Sequence, residues 1–79
     1  MPRYFFDTRD GELVRDEIGI VLDGIEAARD EATRGLADFA KDAIPGSVRR
    51  ELAVEVRDEF DPALLLRASL WFEVAVLVA

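Results

Sequence analysis

The sequence predicts an α+β fold: a two-layer ββαββ arrangement with one four-stranded, mainly antiparallel sheet covered on one face by a single helix. Three observations carry this expectation. Asp10-Gly11 separates two β-prone stretches, and Asp-Gly favours a tight hairpin turn because such turns need positive φ. Apolar residues recur at helical spacing from Ile25 to Ala43, and the last third of the chain alternates apolar and polar residues with a period of two. One antiparallel sheet under one helix is the simplest packing for that order of elements.

The first hairpin is expected at about residues 3–22. "RYFFDTR" is β-prone through its aromatics, and "ELVRDEIGIVL" resumes in loose alternation, with Gly19 marking a bulge or a second bend. The helix is expected at about 24–44. Asp23-Gly24-Ile25-Glu26 fits a capping box, with Asp23 as N-cap and Glu26 at N3. Ile25, Ala28, Ala32, Leu36, Phe39, Ala40 and Ala43 then form one apolar stripe, and Glu31, Arg34, Asp38 and Lys41 fall opposite. Asp30 and Arg34 make a favourable i,i+4 pair. Pro45 cannot continue the helix, and Gly46 tolerates the turn that follows.

A second hairpin is expected at about 49–77. "RRELAVEVRDEF" places Leu52, Val54 and Val56 on one side, as a half-buried strand does. "DEFDP" supplies the turn. In the final strand the even positions from Leu64 to Val76 are all apolar and are assigned to the helix-facing side.

With 79 residues the chain makes a single domain, 1–79, with no linker or internal repeat. A domain of this size buries only about 60% of the surface its unfolded chain exposes, so disulfides, a metal or a partner usually supplement the core. There is no Cys and no His. Disulfides, the usual zinc sites, a Ser-His-Asp triad and a thiolate nucleophile are therefore excluded. The hydroxyls of Tyr4, Thr8, Thr33, Ser47 and Ser69 sit in no nucleophile motif, and Lys41 is the only lysine. A non-enzymatic protein is the expectation. Net charge is −7, which repels a phosphate backbone, so no nucleic-acid partner is expected. The N-terminus has no apolar h-region, and "LLLRASLWFEVAVLVA" is shorter than the roughly 20 apolar residues of a membrane span and is interrupted by Arg67 and Glu73. The chain reads as cytoplasmic, with no membrane partner.

Several motifs carry a family resemblance. They are Pro2-Arg3-Tyr4-Phe5-Phe6, the Asp10-Gly11 turn, Asp16-Glu17-Ile18-Gly19, the helix start from Asp23 to Ala32 and Val56-Arg57-Asp58-Glu59. Together they resemble a family of short proteins, abundant in soil- and plant-associated alphaproteobacteria, known only as a domain of unknown function. The resemblance spans nearly the whole chain and departs most after Glu73. It implies the fold given above and a free-standing domain, and it brings neither catalytic residues nor a ligand.

Three features are candidates for function. Asp7, Asp10, Glu12, Asp16 and Glu17 crowd the first hairpin, and closely placed carboxylates are ligands for Ca²⁺ or Mg²⁺. Their spacing does not match an EF-hand loop, and the preferred reading is a solvated hairpin that resists edge-to-edge aggregation; no metal or cofactor is expected. Helical spacing puts Arg29 inside the apolar stripe, where a charge needs a partner, and Asp7 and Asp16 are the candidate partners of a structural ion pair; a ligand anion is the alternative. The third feature is the outer face of the sheet. Leu65, Trp71 and Leu77 point away from the helix. Because consecutive strand residues alternate faces, Tyr4 and Phe6 lie on one side and Phe5 on the other, so at least one of these aromatics points away, with Phe5 taken as the candidate. Trp and Tyr are enriched at interface hot spots, so these four residues are the interface candidates.

The leading functional expectation is an interaction module that forms a homodimer through the outer sheet face or the last strand. An antitoxin-like regulator masking a basic protein is the alternative, suggested by the acidic charge. A carboxylate- and Mg²⁺-dependent hydrolase is a third reading, disfavoured because one helix on a small sheet offers little cleft.

Overall fold

The computed structural model describes residues 1–78. β1 (Arg3–Asp10), β2 (Glu12–Val14), β3 (Ile20–Val21), α1 (Ile25–Ala43), β4 (Arg49–Asp58) and β5 (Leu66–Glu73) follow one another along the chain. The strands form one antiparallel sheet in the order β2-β1-β4-β5, and β3 pairs with β1 beyond the end of β2. The α+β, ββαββ expectation therefore holds, with one refinement. The return strand of the first hairpin is split into β2 and β3, giving five strands rather than four.

Register sorts the side chains between the two faces. Phe6 stands opposite Val56, Thr8 opposite Val54, Val54 opposite Ala68 and Val56 opposite Leu66. These side chains face α1, whose Ala28 and Ala32 are fully buried against Tyr4, Val54 and Val56, with Phe6, Leu22, Leu36, Leu66 and Ala68 packed around them. Small residues at the contact line let the helix sit close to the sheet. Leu52 and Val56 are the largest side chains that are fully buried. Truncating either to alanine removes buried methyl groups and leaves a cavity, at a cost of about 2–4 kcal/mol.

The helix corrects three expectations. Its N-cap is Gly24 in an extended conformation, with no side-chain cap. Gly24 supplies the first accepting carbonyl, to the Ala28 amide (3.1 Å), so Asp23 lies one residue outside the capping position. Arg34 pairs with Glu31 (3.0 Å, i,i+3) rather than with Asp30. Arg29 is exposed instead of lying in the apolar stripe, because the contact line runs through Ala28, Ala32 and Ala40 and leaves Ile25 and Arg29 on its flank. At the other end, Gly46 turns the chain with φ +84°, and the Ser47 hydroxyl donates to the Ala43 carbonyl (2.9 Å).

The last strand is also shorter than its alternation suggests. The Val74 amide donates to the Val48 carbonyl (2.8 Å), the last rung between the two chain segments. Beyond it the chain has run past the start of β4, so Val74 and Val76 are exposed rather than covered by α1. Leu64 and Leu70 are likewise exposed.

Candidate interaction surface

The face of the sheet opposite α1 carries an ordered set of charges. Strand alternation brings Arg3, Arg9, Arg49, Arg57 and Arg67 to this side together with Asp7, Glu51, Glu55 and Glu73. Two of the acids are buried although no second layer covers them: Asp7 is 3% exposed and Glu55 4%. Arg57 donates to Asp7 through Nε (2.9 Å) and Nη2 (3.3 Å). Arg9 and Arg67 both donate to the same oxygen of Glu55, the first from 3.3 Å. Arg49 pairs with Glu73 across β4 and β5 (3.2 Å). Burial pushes the Glu55 carboxyl upward, but the hydrogen bonds from Arg67 and Arg9 outweigh it and hold the group below its ordinary range.

The gap between β2 and β3 explains the crowded acids of the first hairpin. β2 pairs with Thr8–Asp10 and β3 with Arg3 and Tyr4, so the middle of β1 lacks a strand partner on that edge. Asp16 fills the gap. Its carboxylate accepts the amides of Phe6 (3.1 Å), Ile18 (3.0 Å) and Gly19 (3.1 Å), while its own amide donates to Asp7 (2.9 Å). Burial works against the charged form of Asp16, but those three amides and the nearby Arg57 hold its carboxyl below the usual value. Arg57 also donates to the Asp16 carbonyl (3.0 Å), tying loop, β1 and β4 together. Gly19 has φ +75°, and a Cβ there would lie 2.9 Å from Arg3 Cγ and from the Tyr4 carbonyl oxygen. The Asp16-Glu17-Ile18-Gly19 step thus has a structural basis: a carboxylate that replaces missing strand bonds, and a glycine where no side chain fits.

The expected ion pair is therefore corrected in its partner. Asp7 and Asp16 do converge, but on Arg57 of β4 and not on Arg29. The remaining acids disperse: Asp10 makes a two-oxygen pair with Arg50 (2.9 and 2.8 Å), and Glu12 and Glu17 are exposed. Among the described residues, no group of three or more acids, Cys or His is arranged to hold a metal ion. An open notch of about 150 Å³ lies between α1 and the β1 edge, lined in part by Thr8, Asp16, Glu31 and Gly35. The oxygens of Asp16 are already occupied there by backbone amides.

The four interface candidates separate into two groups. Phe5 is half-buried under the Arg57 guanidinium, whose carbon lies 4.5 Å from the ring centroid, so it belongs to the Asp7–Arg57 assembly. Leu65, Trp71 and Leu77 are exposed, Trp71 by 70% and Leu77 by 92%. They cluster on and around β5 with Leu64, Leu70, Val74, Val76 and Val78, which are also exposed. β5 is an edge strand, with β4 on one side and no strand on the other among the described residues. Sequence alternation located Trp71 but could not reveal that the edge beside it is open, since that depends on strand order.

Among the described residues, no helix is long and apolar enough to cross a membrane. Neither the curated proteins nor the solved structures include a match to the chain. A family model, described as a domain of unknown function (DUF6894), matches residues 3–70, most of the chain, and the protein belongs to that family.

Proposed function

We propose that the protein is a small, non-catalytic interaction module that self-associates through the free edge of β5. The observation that carries this reading is the coincidence of an eight-residue edge strand with a continuous exposed apolar stretch. The strand has an unsatisfied row of backbone groups, and its flanks hold Leu65, Trp71, Val74 and Leu77 in the open. Natural sheets protect long edges, and an unprotected apolar one is a template for strand addition. The slender core adds to the argument, because alanines supply four of its eight buried apolar residues.

The near-balanced charge of the outer sheet face leaves room for a second copy of the same chain. Copies carrying −7 each repel on average, yet the outer sheet face holds five arginines against four acids, so the excess negative charge lies elsewhere. Approach along the sheet is the least opposed. Sedimentation velocity over a wide concentration range tests the reading. The expected result is a concentration-dependent rise from 8.8 kDa to twice that mass, with Trp71→Glu raising the dissociation constant at least tenfold. A monomer at every concentration would sink the proposal.

A further inference from the structure

From the geometry of β5 we infer that the partner is a second copy joined by a two-fold axis at Leu70, in one antiparallel register that sets Arg67 against Glu73 of the other copy. This inference rests on the self-association proposed above and specifies its geometry.

Backbone direction limits the choices first. The Val74 amide points toward β4, where it meets the Val48 carbonyl. Peptide groups alternate sides along a strand, so Phe72, Leu70 and Ala68 also address β4. Arg67, Ser69, Trp71 and Glu73 therefore present their amides and carbonyls to the free edge. A symmetric antiparallel partner must meet these odd-numbered residues with its own odd-numbered residues, which also keeps the two outer faces on the same side.

Few registers satisfy that condition near the middle of β5. A two-fold axis at Ser69 sets Arg67 against Trp71 of the partner copy, and an axis at Trp71 sets Ser69 against Glu73. Only an axis at Leu70 brings Arg67 opposite Glu73, and it does so twice by symmetry. Opposite charges directly across a strand pair are favourable, and a charge facing an apolar ring gains nothing comparable. The same register puts Ser69 against Trp71, Ala68 against Phe72 and Leu66 against Val74. Both charges already have partners in their own chain. Glu55, however, is shared by Arg9 and Arg67, leaving a surplus positive charge beside the edge for the incoming Glu73.

The apolar residues fit the same arrangement. Past Val74 the chain continues as an exposed apolar stretch, and the antiparallel direction carries it alongside Leu64 and Leu65 of the partner copy, which are themselves exposed. Each copy thereby covers what the other leaves in water, as an isologous contact requires.

Single cysteines read the register directly, because the chain has no cysteine of its own. Leu70→Cys, Ser69→Cys and Trp71→Cys are oxidised separately, above the dissociation constant, and covalent dimer is measured on a non-reducing gel. Residues on a two-fold axis face their own counterparts within disulfide reach, whereas a residue one step off the axis faces a different residue. The expected result is covalent dimer for Leu70→Cys and little for the other two. An equimolar mixture of Arg67→Cys and Glu73→Cys chains provides a second reading that leaves Leu70 intact. It should give the mixed disulfide in at least tenfold excess over either chain alone. Preferential cross-linking through position 69 or 71, or no cross-link in either experiment, would overturn the register. In that event a mass of two chains by sedimentation would leave self-association standing.

Discussion

Arg57 grips Asp7 with two nitrogens on the open face of the sheet, and its guanidinium simultaneously lies over the Phe5 ring. The pair joins β1 to β4 across fifty residues of sequence, and both side chains are largely withdrawn from water. Its partners are fixed in turn by Asp16, so the three residues act as one fastening for the first hairpin.

Removing one member should therefore cost more than an ordinary surface pair. Arg57→Met leaves Asp7 buried with only the Asp16 amide for support. The expected loss is about 3 kcal/mol, the range for a buried pair broken on one side. The double change Asp7→Asn with Arg57→Met should lose less than the sum of the two single changes. Urea unfolding midpoints check both statements, and strict additivity would refute the coupling.

The two hairpin glycines should respond differently to the same substitution. Gly11 has φ +77° but open space around it, so Gly11→Ala carries only the conformational cost, about 1 kcal/mol. Gly19 has a similar φ, and there an added methyl meets the β1 backbone at 2.9 Å. Gly19→Ala should cost at least twice as much as Gly11→Ala in the same unfolding experiment. Equal losses would show that the loop shifts freely away from β1.

Acid stability should follow Glu55 and Asp16. Both carboxyls titrate lower in the folded chain than their ordinary values, so between folded and unfolded values the unfolded chain binds more protons. Their contribution is fully present above the ordinary carboxylate range and is lost as pH falls through the folded values. Stability should thus change little between about pH 7 and pH 5 and drop below about pH 4. Glu55→Gln should lower stability at neutral pH and flatten the acid drop. Thermal unfolding across that pH series measures both effects, and an unchanged acid limb in the variant would remove Glu55 from the account.

Element order, the helix and the two-sided character of the final strand are local properties, and all could be read from the sequence. Asp10-Gly11 encodes its own turn, and Ala28, Ala32 and Ala40 encode their own stripe. Asp16 was visible as one acid among several, but its task depends on where β2 stops and β3 begins. No local pattern says that Phe6, paired with Val56 on one side, would lack a strand partner on the other. Arg29 looked like the cation in need of an acid because it follows Ile25 by four residues. The contact line is set by the tightest approach to β4, through Ala28 and Ala32, and this rotates Arg29 outward. Arg57, the cation that does meet Asp7, required the β1–β4 register. The family match ends at Leu70, so Trp71, Glu73 and the apolar stretch after them lie outside the matched segment. The proposed interface spans that boundary, with Leu65, Arg67 and Leu70 inside the matched segment and Trp71 and Glu73 beyond it.

The gap between β2 and β3 has a consequence for assembly size. On that side of the sheet the free amide of Phe6 is already taken by Asp16, and the outer strands are only three and two residues long. An incoming strand would find neither a row of open donors nor a straight edge to follow. Two chains that join along β5 would have only these blunted borders left to display. Growth would stop at a pair, and open-ended fibres, the usual hazard of a bare apolar strand, would have no second point of attachment.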